Sequence, residues 1–205
     1  MPRDGSATKQ RILDTAERLV IENGFAGTSV DQVIAESETS KGAFFHHFPS
    51  KIDLARCLVA RYAAADIAHL HQAIETVTTA TDDPVRQVVE FVRFFEDTAD
   101  ELMAAQSSCL YVSILTERQL AQEGTSEQIV QAILAWRKEL SLMIERALTC
   151  LSGTSGIDAG ALADHVFVTF EGAFILARST GEPDHMRAQL RVLRHLLAAM
   201  LGVED

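Results

Sequence analysis

Apolar residues recur at helical spacing along nearly the whole chain, and this pattern predicts an all-α protein. The amino-terminal part holds three short runs of this kind, within residues 7–22, 28–37 and 40–48, and Asn23-Gly24 is predicted to end the first helix. In each run, apolar side chains three or four positions apart would form one buried face. A longer run over residues 51–76 is expected to be a helix that connects this part to the rest of the chain.

Longer amphipathic helices are predicted in the second half of the chain. A polar, β-branched stretch at residues 76–83 is interpreted as a loop, with Asp83 as N-cap and Pro84 at the first helical position. Helical repeats then cover residues 84–102, 108–119, 127–151, 159–179 and the carboxyl-terminal segment. The 159–179 helix is apolar on nearly every side, so it is either fully internal or partly covered by a second copy of the chain.

Composition and charge narrow the class of protein. With 205 residues, 47% of them apolar, the chain can bury a core as a globular protein. The net charge is −11, but residues 1–51 carry six basic and seven acidic side chains, so a charge of −10 lies in the remainder. The amino-terminal part is therefore nearly neutral, and the acidity lies mainly outside it.

Neither the cysteines nor the hydropathy indicate a secreted or membrane protein. Cys57, Cys109 and Cys150 are far apart and form no CxxC pair, which fits a reducing cytoplasm. The polar amino terminus is unlike a signal peptide. No stretch approaches the roughly 18 uninterrupted apolar residues of a membrane span. We expect a cytoplasmic protein with no membrane partner.

The most informative stretch is TSKGAFFHHFPSK at residues 39–51. Residues 40–48 are predicted to form a two-turn helix, with Phe44 and Phe48 four positions apart on its buried side. The opposite face presents only small or hydrogen-bonding side chains. Such a face suits a helix in the DNA major groove, where close approach and contacts to phosphates or base edges are needed.

Residues 7–54 resemble the DNA-binding domain of the TetR family of transcriptional regulators. The matching segments are RILDTAERLVIENGF, GTSVDQVIAES and TSKGAFFHHFPSKIDL, in the family's order and with its spacing. The resemblance implies a three-helix helix-turn-helix domain at residues 1–50. It also implies a helical effector-binding and dimerisation domain at residues 51–205, whose first helix, 51–76, is the connecting helix.

The resemblance implies that a homodimer binds double-stranded DNA at a palindromic operator, because two helix-turn-helix units are needed about 34 Å or more apart. The last two helices of each subunit would form the dimer interface as a four-helix bundle. The candidate DNA-binding residues are Thr28, Ser29, Thr39, Ser40, Lys41, Gly42, Ala43, Phe45, His46, His47 and Lys51.

Several of these positions have particular features. Thr28 is predicted to cap the second helix, a role compatible with a phosphate contact. Phe45 stands where the family commonly has a tyrosine that donates to phosphate, and Glu38 stands where it often has glycine. Adjacent histidines on a helix point about 100° apart, so His46 and His47 are not predicted to chelate a metal.

The resemblance also implies a small-molecule site among the helices that follow the connecting helix. Aromatic and apolar side chains there suit an apolar or aromatic effector, although ordinary core packing is the better explanation for any single one of them. Glu171 lies within an apolar helix, where it is a candidate polar anchor for a ligand or, equally, a residue of the dimer interface. The candidate effector-binding residues are Phe91, Phe94, Met103, Cys109, Leu110, Trp136, Phe167, Phe170, Glu171 and Phe174.

The sequence favours a repressor that an effector releases from DNA. Besides lining the effector site, Cys109 could be a reactive thiol whose modification releases DNA. It could also be an inert, buried apolar residue. An activator or an effector-independent DNA-binding protein remains the alternative. No cofactor is implied, and no catalytic motif indicates an enzyme. Asp66 and His69 lie three positions apart on one helix face, but they are interpreted as a solvated pair rather than as catalytic residues.

Overall fold

The computed structural model describes residues 5–105, 126–151 and 156–204, and the prediction of an all-α fold is confirmed: those residues form helices and no strand. The helices are α1 (Gly5–Gly27), α2 (Val30–Glu36), α3 (Lys41–His47), α4 (Lys51–Ala80), α5 (Pro84–Asp97), α6 (Ala99–Ala105), α7 (Ser126–Thr149), α8 (Ala159–Thr180) and α9 (Asp184–Leu201). The predicted helix at 108–119 lies outside the described residues.

The chain divides into two compact units. Among the described residues, one unit holds 5–64 together with 126–130, and the other holds 65–105 together with 131–151 and 156–204. The division falls inside α4, so this single helix contributes to both units. The predicted domain boundary at residue 50 stays a prediction.

Helix α1 is interrupted near its end, at the position where the sequence predicts termination. Gly24 has φ 74° and ψ 163°, outside the helical region, and a last turn follows it up to Gly27. Phe25 is buried directly after this break. A positive φ is accessible to glycine without the clash that a Cβ would cause, so Gly24 allows the chain to turn and bury Phe25.

Helix α2 is capped by Ser29, and the prediction that Thr28 is the cap is wrong. The Ser29 hydroxyl oxygen accepts a hydrogen bond from the Gln32 backbone N–H at 3.1 Å. The Thr28 side chain is only 2% exposed, and its hydroxyl donates to the Gly24 carbonyl at 2.9 Å. Thr28 thus closes the turn after α1, and the cap falls one residue later.

The turn between α2 and α3 is a Schellman motif. The Thr39 N–H donates to the Ile34 carbonyl at 3.1 Å, and the Glu38 N–H donates to the Ala35 carbonyl at 3.2 Å. Glu38 occupies the left-handed position of this motif, with φ 51°, where glycine is usual. Arg11 fixes the turn to α1, since its Nε donates to the Ser37 carbonyl at 2.8 Å.

Helix α3 agrees closely with the prediction. Ser40 is its N-cap and accepts from the Ala43 N–H at 3.1 Å, and Phe48 is its C-cap. Phe44 and Phe48 are both 0% exposed and their ring centroids lie 5.8 Å apart. Burying these two rings places the opposite face of α3 outward.

Helix α4 begins as predicted and ends later than predicted. Ser50 accepts from the Asp53 N–H at 3.1 Å and donates to the Asp53 carboxylate at 2.7 Å. The stretch interpreted as a loop from residue 76 is helical up to Ala80. Val77 is buried there, and the hydroxyl of Thr76 bonds back to the Gln72 carbonyl at 2.8 Å. Burial and these local bonds outweigh the weak helix propensity of β-branched residues.

Arg61 of α4 fixes this helix to α1 within the first compact unit. It pairs with Asp14 at 2.6 Å and also with Glu17. The two carboxylates are one turn apart on α1, so a single guanidinium holds both. The orientation of this part of α4 is therefore set by α1.

Helices α5 and α6 divide the predicted 84–102 helix at Thr98. Asp83 caps α5 as predicted, accepting from the Val85 N–H at 2.9 Å, and Pro84 is at its first turn. Thr98 leaves the helical conformation and its hydroxyl donates to the Phe94 carbonyl at 2.9 Å. The new helix start at Ala99 places acidic residues in the first turn of α6.

Helix α9 packs on both α5 and α8, and a buried ion pair fixes it to α5. Arg194 donates to Glu96 at 2.7 Å, and the two residues are 8% and 6% exposed. Burial opposes the charge of Glu96, but hydrogen bonds from Arg194 and Arg191 outweigh it and hold its pKa below the usual value. Removing Glu96 would take this carboxylate away from the buried guanidinium of Arg194.

Helices α8 and α9 each bury one side and expose apolar residues on the other. On α8 the exposed large side chains are Val168, Ile175 and Leu176, and on α9 they are Val192, Leu196 and Met200. By length and composition alone, α8 is long and apolar enough to cross a membrane, as is the core helix of many soluble proteins. Its sequence also contains the carboxylates Asp164 and Glu171.

Glu38→Gly is expected to be more stable than Glu38→Ala by about 1 kcal/mol. An ordinary residue in the left-handed region costs roughly 1–2 kcal/mol, and the greater freedom of glycine in the unfolded chain offsets part of the gain. Urea unfolding of the two variants measures the difference. Both variants lack the carboxylate, so charge cannot explain it. A glycine variant no more stable than the alanine variant would contradict the strained turn.

Candidate functional site

The outer face of α3 is the candidate DNA-contacting surface. Lys41, Gly42, Phe45 and His46 are exposed, while Ala43 and His47 are half-buried. Phe45 is 41% exposed although it is a large apolar residue. A small, partly apolar face of this kind permits close approach to base edges and thymine methyl groups.

The residues that flank α3 and open α2 differ in accessibility. Ser29 and Ser40 are exposed, and each caps a helix. Thr39 is half-buried, and its hydroxyl lies 2.9 Å from that of Ser37. The hydroxyl of Thr28 is buried and already bonded, so Ser29 is the better placed of the two to meet a phosphate at the amino end of α2.

Lys51 has a local partner in this structure. Its ammonium donates to the Phe25 carbonyl at 2.6 Å and lies 4.2 Å from the centroid of the Phe25 ring. A phosphate contact from Lys51 would require this ammonium to serve both groups or to move. That contact stays a prediction.

The charge on this surface is small. Lys41 is 73% exposed and lies 3.9 Å from the carboxylate of Asp31, which is 86% exposed. Glu38 is also exposed at the adjacent turn. Affinity for DNA grows with the number of phosphates that basic side chains neutralise, so one copy of this surface offers little and two copies are needed.

A contiguous cluster of aromatic rings lies in the second compact unit. Phe95 is at its centre, with ring centroids 5.1 Å from Phe91, 5.4 Å from Trp136 and 4.9 Å from Phe170. Trp136 in turn lies 6.3 Å from Phe167. Phe94 also lies 5.2 Å from Phe95, so six rings from α5, α7 and α8 pack together, and five of them were predicted as effector-binding residues.

The interpretation of Asp66 and His69 as a solvated pair is wrong, because both side chains of α4 meet this aromatic cluster. The Trp136 indole N–H donates to the Asp66 carboxylate at 3.0 Å. The His69 ring lies 5.6 Å from Phe94 and 5.1 Å from Phe95. Burial lowers the pKa of His69, although the carboxylate of Glu101 works in the opposite direction.

Glu171 is the most perturbed titratable group among the described residues. Burial, and then the neighbouring carboxylate of Asp66, raise its pKa to about 7. No described side chain hydrogen-bonds to it or forms an ion pair with it. An uncompensated carboxylate beside aromatic rings is typical of a functional site rather than of a core.

The remaining predicted effector residues are distributed less evenly. Phe94 and Met103 are half-buried on α5 and α6, and Phe174 is buried on α8. Cys109 and Leu110 lie outside the described residues. The predicted effector residues did not include Phe95 and Asp66, which belong to the aromatic cluster. The helical spacing of Phe95 with Phe91 and the apolar neighbours of Asp66 in the sequence could have indicated this.

The fold and the α2–turn–α3 surface define a helix-turn-helix DNA-binding protein with a separate helical unit. Residues 12–57 match the family model "Bacterial regulatory proteins, tetR family", and residues 84–193 match "Tetracyclin repressor-like, C-terminal domain". The chain therefore belongs to the TetR family of DNA-binding transcriptional regulators, and the resemblance inferred from the sequence is confirmed.

Relatives that match along the chain agree with this assignment. Transcriptional regulator AcuR of Cereibacter sphaeroides is 23% identical over 198 residues, which span 95% of this chain and 87% of that protein. HTH-type transcriptional repressor NemR of Escherichia coli K12 is 25% identical over 112 residues, spanning 54% of this chain and 53% of that protein.

Among solved structures, a TetR-family regulator from Agrobacterium tumefaciens matches with TM-score 0.75 at 22% identity, over 94% of this chain and 98% of that one. The reduced form of E. coli NemR matches with TM-score 0.71 at 20% identity, over 92% and 97% of the respective chains. At these identities the structures establish a shared fold.

Glu171→Gln is expected to stabilise the chain above neutral pH and to leave it unchanged near pH 4.5. A raised pKa means that the folded state keeps a proton that the unfolded chain loses at its ordinary pKa of 4.5, so wild-type stability falls as pH rises from about 4.5 to about 7 and levels off above that. Glutamine mimics the protonated form, and the gain should reach about 2–3 kcal/mol once Glu171 would be ionised.

Urea unfolding between about pH 4 and pH 8 measures this effect. Glu145→Gln is the matched control, since Glu145 is an exposed carboxylate on α7. Equal stability of wild type and Glu171→Gln at every pH would show that Glu171 ionises without penalty.

Proposed function

We propose that the chain is a cytoplasmic, homodimeric, one-component transcriptional regulator that represses transcription until a small effector binds. The observation that carries this proposal is α3, which buries Phe44 and Phe48 completely and turns a small, hydrogen-bonding face outward. The aromatic cluster beside Glu171 supports the second part, the binding of an effector.

DNA recognition is proposed to use α3 in the major groove with phosphate contacts at its borders. Lys41 and His47 would contact phosphates from α3, and Ser29 from the start of α2. Gly42 and Ala43 permit the close approach, and Phe45 supplies an apolar contact in place of a hydroxyl. Thr39, Ser40, His46 and Lys51 complete the proposed surface, while Thr28 holds the turn that positions Ser29.

Dimerisation is proposed to use the exposed apolar side of α8 and α9. Val168, Ile175 and Leu176 of one helix and Val192, Leu196 and Met200 of the other would pack against the same residues of a second copy. Two helices from each subunit then form a four-helix bundle about a two-fold axis. This pairing brings two copies of α3 to a palindromic operator.

Coupling between effector and DNA is proposed to run along α4. This helix carries Arg61, which pairs with α1, and five residues later Asp66, which accepts from Trp136. A ligand at the aromatic cluster that displaces Asp66 would change the position of the same helix that holds α1. Only a ligand that binds one arrangement better than the other would release DNA.

A mobility-shift titration tests the proposal as a whole. Purified protein is titrated against the DNA upstream of its own gene, with excess nonspecific competitor. Specific retardation, together with lower transcript from the same promoter when the protein is present, is the expected result. Higher transcript on binding would indicate an activator, and no retardation of any genomic fragment would contradict a DNA-binding regulator.

Two further points concern catalysis and Cys109. The relatives that match along the chain are regulators, and we propose no catalytic activity. Release of DNA by modification of Cys109 stays a prediction from sequence, because Cys109 lies outside the described residues.

Lys41→Ala is expected to weaken binding to all DNA sequences and to reduce the salt dependence. Removing one phosphate contact lowers the slope of log affinity against log salt by roughly 0.9, so the slope for a dimer should fall by about 2. Filter binding or anisotropy across a range of salt concentrations measures the slope. Lys138→Ala is the matched control, because Lys138 is also 73% exposed but lies on α7; an equal effect in both variants would contradict the contact.

Leu196→Asp is expected to yield a monomer that no longer retards DNA. Leu196 is 60% exposed on α9, and a carboxylate there would be buried without a partner in the bundle. Sedimentation velocity measures the mass. Leu142→Asp, at a residue 45% exposed on α7, is the control and should stay dimeric. A dimeric Leu196→Asp protein would refute this interface.

A further inference from the structure

The aromatic cluster has an accessible edge that carries charge. Phe91, Phe95, Trp136 and Phe170 are buried, whereas Phe94 and Phe167 are half-buried at its border. Asp66, His69 and Glu171 are also half-buried there. A ligand that reaches this edge would meet ring surfaces and carboxylates together.

The charge at this edge is negative, and no described cation pairs with Glu171. This carboxylate has no hydrogen-bond or ion-pair partner among the described residues. Three arginines of the same unit pair with other carboxylates: Arg137 with Asp164, Arg187 with Asp100, and Arg194 with Glu96. His69 is held towards its neutral form because burial lowers its pKa, so it adds no positive charge near neutral pH.

Anionic, neutral and cationic ligands are therefore expected to differ in their affinity for this site. An anion would be repelled by Asp66 and Glu171. A neutral apolar ligand would bury Glu171 further without supplying a partner, which adds to its desolvation. A cation would supply the missing counter-charge for Glu171, and its carbon-bound hydrogens would lie well against the negative faces of Trp and Phe rings.

We propose that the effector of this chain is an organic cation with an aromatic or apolar body, whose charged head is held by Glu171 and Asp66 beside the half-buried ring of Phe167. The proposal names the ligand class of the effector site and rests on the proposed function for its consequence at DNA. Binding itself is a property of the protein alone, so it can be tested without DNA.

Trp136 makes the test direct, because it is the only tryptophan in the chain. Its fluorescence in the full-length protein is titrated with benzyltrimethylammonium, with the neutral carbon isostere neopentylbenzene, and with 3-phenylpropanoate. Calorimetry gives the affinities. We expect the cation to bind at least about tenfold more tightly than the isostere, because charges at close range interact strongly at partly buried sites, and we expect no saturable binding of the anion.

Glu171→Gln separates charge from shape at this site. Its cation affinity should fall by about tenfold or more, while its affinity for the isostere should not fall, because burying an uncharged amide costs less than burying a carboxylate. Asp66→Asn keeps an oxygen acceptor for Trp136 and should cause a smaller reduction. Glu145→Gln on α7 is the control. An isostere affinity that is not reduced verifies that each variant is folded.

Three results would overturn the proposal: no saturable binding of the cation, equal or tighter binding of the isostere or the anion, or full cation affinity in Glu171→Gln. A mobility-shift assay with and without the cation separates this inference from the proposed function. Protein that binds DNA but no cation refutes only the ligand class. Protein that binds the cation by way of Glu171 but never retards DNA refutes the proposed function and leaves the ligand site intact.

Discussion

The continuity of α4 is the constraint on which the rest of this molecule depends. One helix of 30 residues contributes to both compact units, and no residue within it leaves the helical state. At Arg61 it is held by two carboxylates of α1, and at Asp66 by the indole of Trp136. A helix transmits displacement along its axis because its backbone bonds are made internally. A ligand that alters the contact between Asp66 and Trp136 would therefore act on the same helix that Arg61 holds to α1.

Glu171 is the residue at which stability and the proposed ligand binding conflict. A neutral side chain of the same shape would avoid both the burial and the repulsion by Asp66 that raise its pKa to about 7. By contrast, Glu96 is buried between α5 and α9 but forms ion pairs with two arginines, Arg191 and Arg194. The same chain thus compensates one carboxylate and leaves the other open. An open carboxylate beside rings is what a binding site for a cation requires.

Much of the fold could be predicted from sequence, because helical spacing and terminal residues act locally. The positions of Phe44 and Phe48, the break at Gly24 and the cap at Asp83 all followed from such signals. The cap at Ser29 did not, since Thr28 and Ser29 are both good caps and only the buried bond from Thr28 to Gly24 distinguishes them. Likewise the sequence around Asp66 suggests a solvated side chain, although Trp136, 70 residues away, donates to it. Contacts distant in sequence leave no local pattern.

The acidity of the chain has opposite consequences at its two proposed sites. Residues 1–51 are close to neutral, so the remaining charge of −10 repels DNA at long range and only local contacts at α3 can offset it. The same field attracts cations and raises their concentration near the protein. Salt screens both effects within about 8–10 Å, which would weaken the long-range repulsion of DNA and also weaken the capture of a cation. The overall charge of the chain therefore opposes DNA binding and favours binding of the proposed cation, so the contacts of α3 must act against this charge at the DNA, whereas the carboxylates at the proposed ligand site act with it.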